Sequence, residues 1–444
     1  MQTQDSTKLN SIASASDFII KKSELYLSDL LVELDAQIDS RLVKTFFRLF
    51  IAVQIYRNRP NGLILSELGA FICNPWQAKA GTKRLSNLLR STKWNASVID
   101  DFLFSKAEKR IEKLKHKGKR PLFTWDDSRL EHPESWLVEG LCSVYSTKGK
   151  RLTRIRRGFY KIFKSRICTP GYKWTAVMLS TVGEVPSVCK MSWWTTRGKF
   201  KSHGSNMMFN LLKACNQKFG RLITHVLDRG YAKAELIEWM FLFCQDFVLR
   251  WKKNHNLIHP SGEVKKTHLI ARSAKPMHYK WVKDKERKKM KRVSIAYIEV
   301  AHPEFPDNQL FMVVVRDKKN HNSPMYLLTS LPIHSIKDAW EVCHIYFHRW
   351  NIEQAFRFCK SELAMESPRL WFFENRLKFL AIISLVYDFI ISLIRNWNAW
   401  VWCFIQTWCP RTGSRLRVVS TPAYRLRFAI SLCLTFFWVN QNSG

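Results

Sequence analysis

Tyr346-Phe-His-Arg349-Trp350-Asn-Ile-Glu353-Gln-Ala-Phe-Arg357-Phe-Cys-Lys360 is the stretch from which the rest of the sequence can be read. At 3.6 residues per turn its pattern predicts one continuous helix. Tyr346, Arg349, Trp350, Glu353, Arg357 and Lys360 then share a stripe about 100° wide. Ala355, Phe356, Phe358, Cys359 and Leu363 form the apolar back. One acid among three permanent cations has two readings. Arg349 and Glu353 can be an i,i+4 ion pair on a solvated face, worth a few tenths of a kcal/mol. Alternatively Glu353 is a carboxylate aimed at a metal, with cations that grip phosphates and Trp350 free to stack on a base. Helix geometry alone leaves both open.

Working outward from this helix, Ser335-Ile-Lys-Asp338 places a capping hydroxyl three residues before an acid, a helix start. Residues 247–331 are mostly β-like: Phe247 to Trp251, Ser294 to Val300, Gln309 to Val315 and Tyr326 to Ser330. Before them, Arg221 to Asp228 is an apolar strand ending in an acid and a turn at Arg229-Gly230. Asn206 to Phe219 is an amphipathic helix, and Trp174 to Thr181 and Pro186 to Trp193 read as strands. Pro121-Leu-Phe-Thr-Trp-Asp126-Asp127 is a strand that delivers two acids to its end. This order predicts an α/β core interrupted by a β-rich insertion.

Residues 1–118 read as helical. Leu65 to Ile72, a turn at Asn74-Pro75 and Thr82 to Arg90 resemble a helix-turn-helix pair. It would bury Leu85, Leu88 and Leu89 and offer Lys83, Arg84 and Arg90 to DNA; a small bundle with a solvated basic face reads equally well. Phe379 to Ile394 is apolar but short for a membrane span and carries Asp388, so a buried core helix is expected. Beyond it, Trp397 to Trp408 and Phe428 to Val439 are apolar enough to bury against the core or a second subunit. The expected division is a helical DNA-binding domain at 1–118, a catalytic core at 119–246 and 332–395, an insertion at 247–331, and a tail at 396–444 used for oligomerisation.

The charge balance narrows the partner. Seventy-two Lys and Arg against 36 Asp and Glu give a formal charge of +36, a field that gathers polyanions, nucleic acid first. The clusters Lys148 to Arg157 and Lys283 to Arg292 are candidates for backbone contacts, and Thr195-Thr-Arg197-Gly-Lys199 is a loop that could line a DNA channel. Eleven scattered cysteines without a C-x-x-C pair argue against a zinc ribbon or redox pair and for a reduced, cytoplasmic setting. No phosphate-binding loop and no H-E-x-x-H spacing occurs, so neither a nucleotide-driven motor nor zinc hydrolysis is supported.

The spacing of Tyr346, Arg349, Glu353 and Lys360 resembles the Y-R-E-K signature of DDE transposases of the fourth insertion-sequence family, and Trp350 and Ile352 match its usual form. Asp228-Arg-Gly-Tyr resembles the family's second acidic motif. Trp125-Asp126-Asp127-Ser128 resembles the first, whose D-x-S/T pattern selects Asp126 over its neighbour Asp127. The resemblance covers roughly residues 120–395. It implies an RNase H-like core holding two Mg²⁺ or Mn²⁺ ions on Asp126, Asp228 and Glu353, with Asp126 bridging them. Tyr346, Arg349 and Lys360, and more weakly Arg357, would fix phosphates. Trp350, Trp251 or Trp281 would stack on a displaced base. The partners implied are double-stranded DNA, as transposon ends and target, and a second copy of the chain when DNA is bound, with no membrane. A transposase-derived regulator without catalysis, or a nuclease on the same fold, are the competing readings.

Overall fold

The computed structural model describes residues 12–57, 62–132, 135, 137–146, 167–283, 290–317, 324–409 and 422–442. The cluster Lys148 to Arg157 and most of Lys283 to Arg292 lie outside them.

Five helices come first: α1 (Ile12–Asp35), α2 (Ser40–Ile55), α3 (Leu65–Ile72), α4 (Ala78–Arg90) and α5 (Ser97–His116). Asn74 accepts a hydrogen bond from the Gln77 amide at 2.8 Å, which shapes the turn between α3 and α4. These two helices cross at Gly69 and Gly81, and a Cβ at Gly81 would overlap the Gly69 carbonyl. Leu85, Leu88 and Leu89 are buried, while Lys83, Arg84 and Arg90 are exposed.

The middle of the chain builds one mixed sheet. Its strands are β1 (Leu122–Glu131), β2 (Cys142–Tyr145), β3 (Cys168–Ser180), β4 (Ser187–Trp194), β5 (Thr224–Leu227), β6 (Asp246–Arg250), β7 (Asn256–Ile258), β8 (Val264–Lys266), β9 (His278–Lys283), β10 (Met290–His302), β11 (Phe305–Asp317) and β12 (Met325–Thr329). They run β2-β3-β1-β5-β6-β12-β11-β10-β7-β8, with β4 also on β3 and β9 on β10. β1 lies antiparallel to β3 and parallel to β5, which is parallel to β6. Every residue of β5 is buried, as a parallel strand covered on both faces requires. Helices α6 (Gly204–Phe219), α7 (Ala234–Leu242) and part of α5 cover one face. A short α8 (Thr267–Ser273) sits among the later strands. The opposite face carries α9 (Ile336–Phe347), α10 (Trp350–Ser361) and α11 (Phe373–Asn396), followed by α12 (Asn398–Trp408) and α13 (Ala423–Asn442).

Two sequence expectations change here. The segment Phe247 to Trp251, read as part of the insertion, forms β6 and pairs in parallel with β5. Strands β10 to β12 then extend the same sheet. An apolar run announces a strand but not its neighbour. The helix predicted to run unbroken through Tyr346 to Lys360 is two helices, α9 and α10. Around the turn at His348 and Arg349 the amides bond three residues back: His348 to Ile345 at 3.1 Å, Arg349 to Tyr346 at 3.0 Å and Ile352 to Arg349 at 3.1 Å.

Helix α11 is long and apolar enough to cross a membrane, yet it is almost wholly buried in the protein core. Its Asp388 accepts from the Tyr26 hydroxyl at 2.9 Å and the Val188 amide at 2.8 Å, which satisfies the charge that interrupts the apolar run. The end of the chain closes on its beginning. Arg427 of α13, fully buried, donates to the carbonyls of Val53 at 2.8 Å, Tyr56 at 2.9 Å and Gln54, capping the open end of α2.

Candidate active site

On β1 successive side chains point to opposite faces. Asp127 accepts from Thr175 Oγ1 at 2.6 Å, and burial pushes its carboxyl up. Thr175 in turn accepts from Trp194 Nε1 at 3.1 Å. Asp126 turns the other way, where Arg349 Nη1 lies 3.1 Å from its Oδ2. The two neighbours thus separate into different surroundings. Asp228 follows β5 directly and accepts from the Tyr346 hydroxyl at 2.9 Å. Glu353, in the first turn of α10, pairs with Arg349 Nη2. Arg349 Nε stands 4.0 Å from Asp228.

One guanidinium therefore faces all three acids. The i,i+4 pair with Glu353 exists, but it is only one arm of this arrangement. Arg349 reaches them from the turn between α9 and α10. Asp126 lies in the middle of its strand, because β1 pairs with β3 as far as Glu131 instead of ending at the acids as its sequence suggested. The Arg349 side chain is 12% exposed. Burial alone would lower its pKa; Tyr346 and the three acids overcome that and raise it.

The same charges set the acids apart. Burial pushes Asp126 up to about 7, against the opposing pull of Arg349. Burial also raises Asp228, but the Arg229 amide, Arg349 and the Tyr346 hydroxyl outweigh it and hold the carboxyl below its ordinary value. Burial and the Asp228 charge push the Tyr346 phenol up to about 12. Among the described residues no three His, Cys, Asp or Glu side chains stand close enough together to hold a metal ion. The donor chemistry nonetheless fits a hard divalent cation, since two aspartates and a glutamate offer only oxygen. A cation already holds them, and it is Arg349.

Lys360 donates to the Arg129 carbonyl on β1 and lies 3.6 Å from Glu366. Arg357 and Trp350 are exposed. Trp281 is exposed on β9, whereas Trp251 is 2% exposed and packed between His255 and His302. Trp251 is therefore a core residue and cannot receive a base, because His255 and His302 close over it just past the end of β6. Lys199 of the loop after β4 pairs with Glu139 at 3.1 Å, and Arg197 is exposed.

Two neighbours escaped the sequence reading. Arg250 stands 4.0 Å from Asp228, at the end of β6. His225, fully buried on β5, accepts from Trp125 Nε1 at 2.9 Å and lies 3.2 Å from Gln245 Oε1. No local pattern marks either, since each depends on which strands are adjacent.

Comparison with known proteins adds one family match. Residues 199–389 match the transposase DDE domain, a span that includes Asp228 and the whole Y-R-E-K set and begins after Asp126. No curated protein matches. The cryo-EM structure of a piggyBac transposase synaptic complex with hairpin DNA is similar with a TM-score of 0.44 and 11% identity, over 92% of this chain and 73% of that one. With residues 199–389 matching a transposase DDE domain, this enzyme is a DDE transposase.

Proposed function

We propose that the chain belongs with the Y-R-E-K transposases of insertion sequences. In this reading it binds terminal inverted repeats, cleaves the element's ends and joins the strands to target duplex. The observation that carries it is the convergence of Asp126, Asp228 and Glu353 on a guanidinium supplied by the signature itself. The strand order β4-β3-β1-β5-β6, with β3 antiparallel to its neighbours, supports an RNase H-like core with one acid within β1 and one just past the end of β5.

The three carboxylates would hold two Mg²⁺ or Mn²⁺ ions, which when bound supply charge neutralisation for the attacking and leaving oxygens. The remaining work falls to the chain's own side chains. Tyr346 fixes the Asp228 carboxylate through its hydroxyl. Arg349 and Lys360 sit where a phosphate beside the acids would compete for their protons, Lys360 from its place on the Arg129 carbonyl. The exposed Lys83, Arg84 and Arg90 of α4 suit contacts to the repeat's backbone. Pairing two ends calls for two copies of the chain.

The test is strand cleavage of the element's end DNA by wild type and Glu353→Gln with Mg²⁺ or Mn²⁺. Metal-dependent nicking at the boundary, lost in Glu353→Gln with DNA binding retained, is the expected result. Binding without cleavage in either protein would favour a regulator. Cleavage that survives the substitution would remove Glu353 from its role.

A further inference from the structure

A cleft of about 1500 Å³ opens between the outer face of α5 and the α9–α10 turn, away from the three acids. That is more than the roughly 300–1,000 Å³ typical of small-molecule pockets and leaves room for a length of polymer. One wall is a ladder. Lys109 and Lys113 on α5 and Lys117 at its C-cap stand four residues apart, all exposed, at steps of about 6 Å along one face. Lys109 bridges Asp29 at 3.1 Å in an exposed pair that offers little resistance to a competing anion.

The facing wall is aromatic. Phe347 is 49% exposed and Trp350 42% exposed at the end of α9 and the start of α10, so both rings are open to a partner in the cleft. The two acids at the cleft are already spent. Asp388 holds Tyr26 and Val188, and Glu184 is paired with Lys119 at 2.7 Å and Arg110 at 3.6 Å. The cleft therefore presents net positive charge on one side and ring faces on the other.

We infer that this cleft binds a single-stranded segment of nucleic acid, with its backbone along the α5 lysines and a base against Phe347. A duplex would satisfy the lysines, but its base faces are hidden in the stack and leave Phe347 without a partner. The inference rests on the reading of the chain as an enzyme that acts on DNA.

Fluorescence anisotropy with labelled oligothymidylate, and separately with a blunt duplex, tests it on the full chain. Lys109→Gln/Lys113→Gln/Lys117→Gln, all surface changes, should weaken oligothymidylate binding and reduce the slope of log K against log[salt] by about 2. Phe347→Ala should weaken oligothymidylate about 5- to 150-fold, with duplex affinity unchanged and Phe347→Tyr restoring it. Oligothymidylate affinity that ignores both sets of substitutions overturns the proposal. So does a Phe347→Ala loss that is equal for duplex and single strand, since that places a duplex in the cleft. Neither readout needs cleavage. An enzyme that cuts its end DNA while these substitutions do nothing loses the cleft and keeps its activity; an enzyme that fails to cut but responds to them does the reverse.

Discussion

Arg349 and His225 show how much of this site depends on single groups held out of water. Replacing Arg349 with Ala leaves Asp126, Asp228 and Glu353 facing one another without their shared cation. Removing one partner of such a set costs more than the pair is worth, because the remaining charges stay desolvated. Urea unfolding at neutral pH should find Arg349→Ala about 2–3 kcal/mol less stable than wild type, a figure reduced for the partial exposure of Glu353. His225 predicts a pH effect. Burial lowers its pKa from 6.5 to about 4, so between those values the unfolded chain takes up a proton that the folded chain refuses. Its contribution is complete above about 6.5 and is lost as pH falls toward 4. The stability difference between wild type and His225→Gln should shrink by up to about 1.4 kcal/mol per pH unit across that window. A difference independent of pH would mean that His225 is already charged in the fold.

At the scale of elements, the crossing of α3 and α4 is set by two glycines without room for a methyl. Gly81→Ala should force the helices apart and cost about 1–3 kcal/mol, read by chemical denaturation. If the variant is as stable as wild type, the crossing is looser than its geometry. This is also where sequence and structure part company. The strand bearing Asp126 and Asp127, the strand ending at Asp228 and the capping box at Ser335 and Asp338 were all legible, because each is written in local periodicity or local chemistry. The break between α9 and α10 was not. No Pro or Gly marks it, and the six polar or aromatic positions of the stripe suit a straight helix well. What bends the chain is the gain from bringing Arg349 to acids more than 100 residues away in sequence, and no window of sequence contains that. Arg250 and His225 stayed hidden for the same reason, since they follow from β5 lying between β1 and β6.

Across the whole molecule, the sheet runs without interruption from the acids to the far edge of the later strands, and one helical core unites the two ends of the chain. Arg427 is the tie between those ends, and burial lowers its pKa to about 9. Arg427→Met keeps most of the volume but leaves the carbonyls of Val53, Gln54 and Tyr56 unpaired. That should cost about 2–4 kcal/mol, seen as a lower midpoint in thermal unfolding, whereas an unchanged midpoint would mean that water replaces the guanidinium.

The closure of α2 by α13 also has a consequence for synthesis. Residues 40–55 leave the ribosome long before residues 423–442 exist to cover them. At about 5–20 residues per second, that wait lasts on the order of half a minute. During it, the apolar flank that Arg427 and its helix will seal is open to a chaperone. Helix α2 is thus made well before the helix that completes its packing.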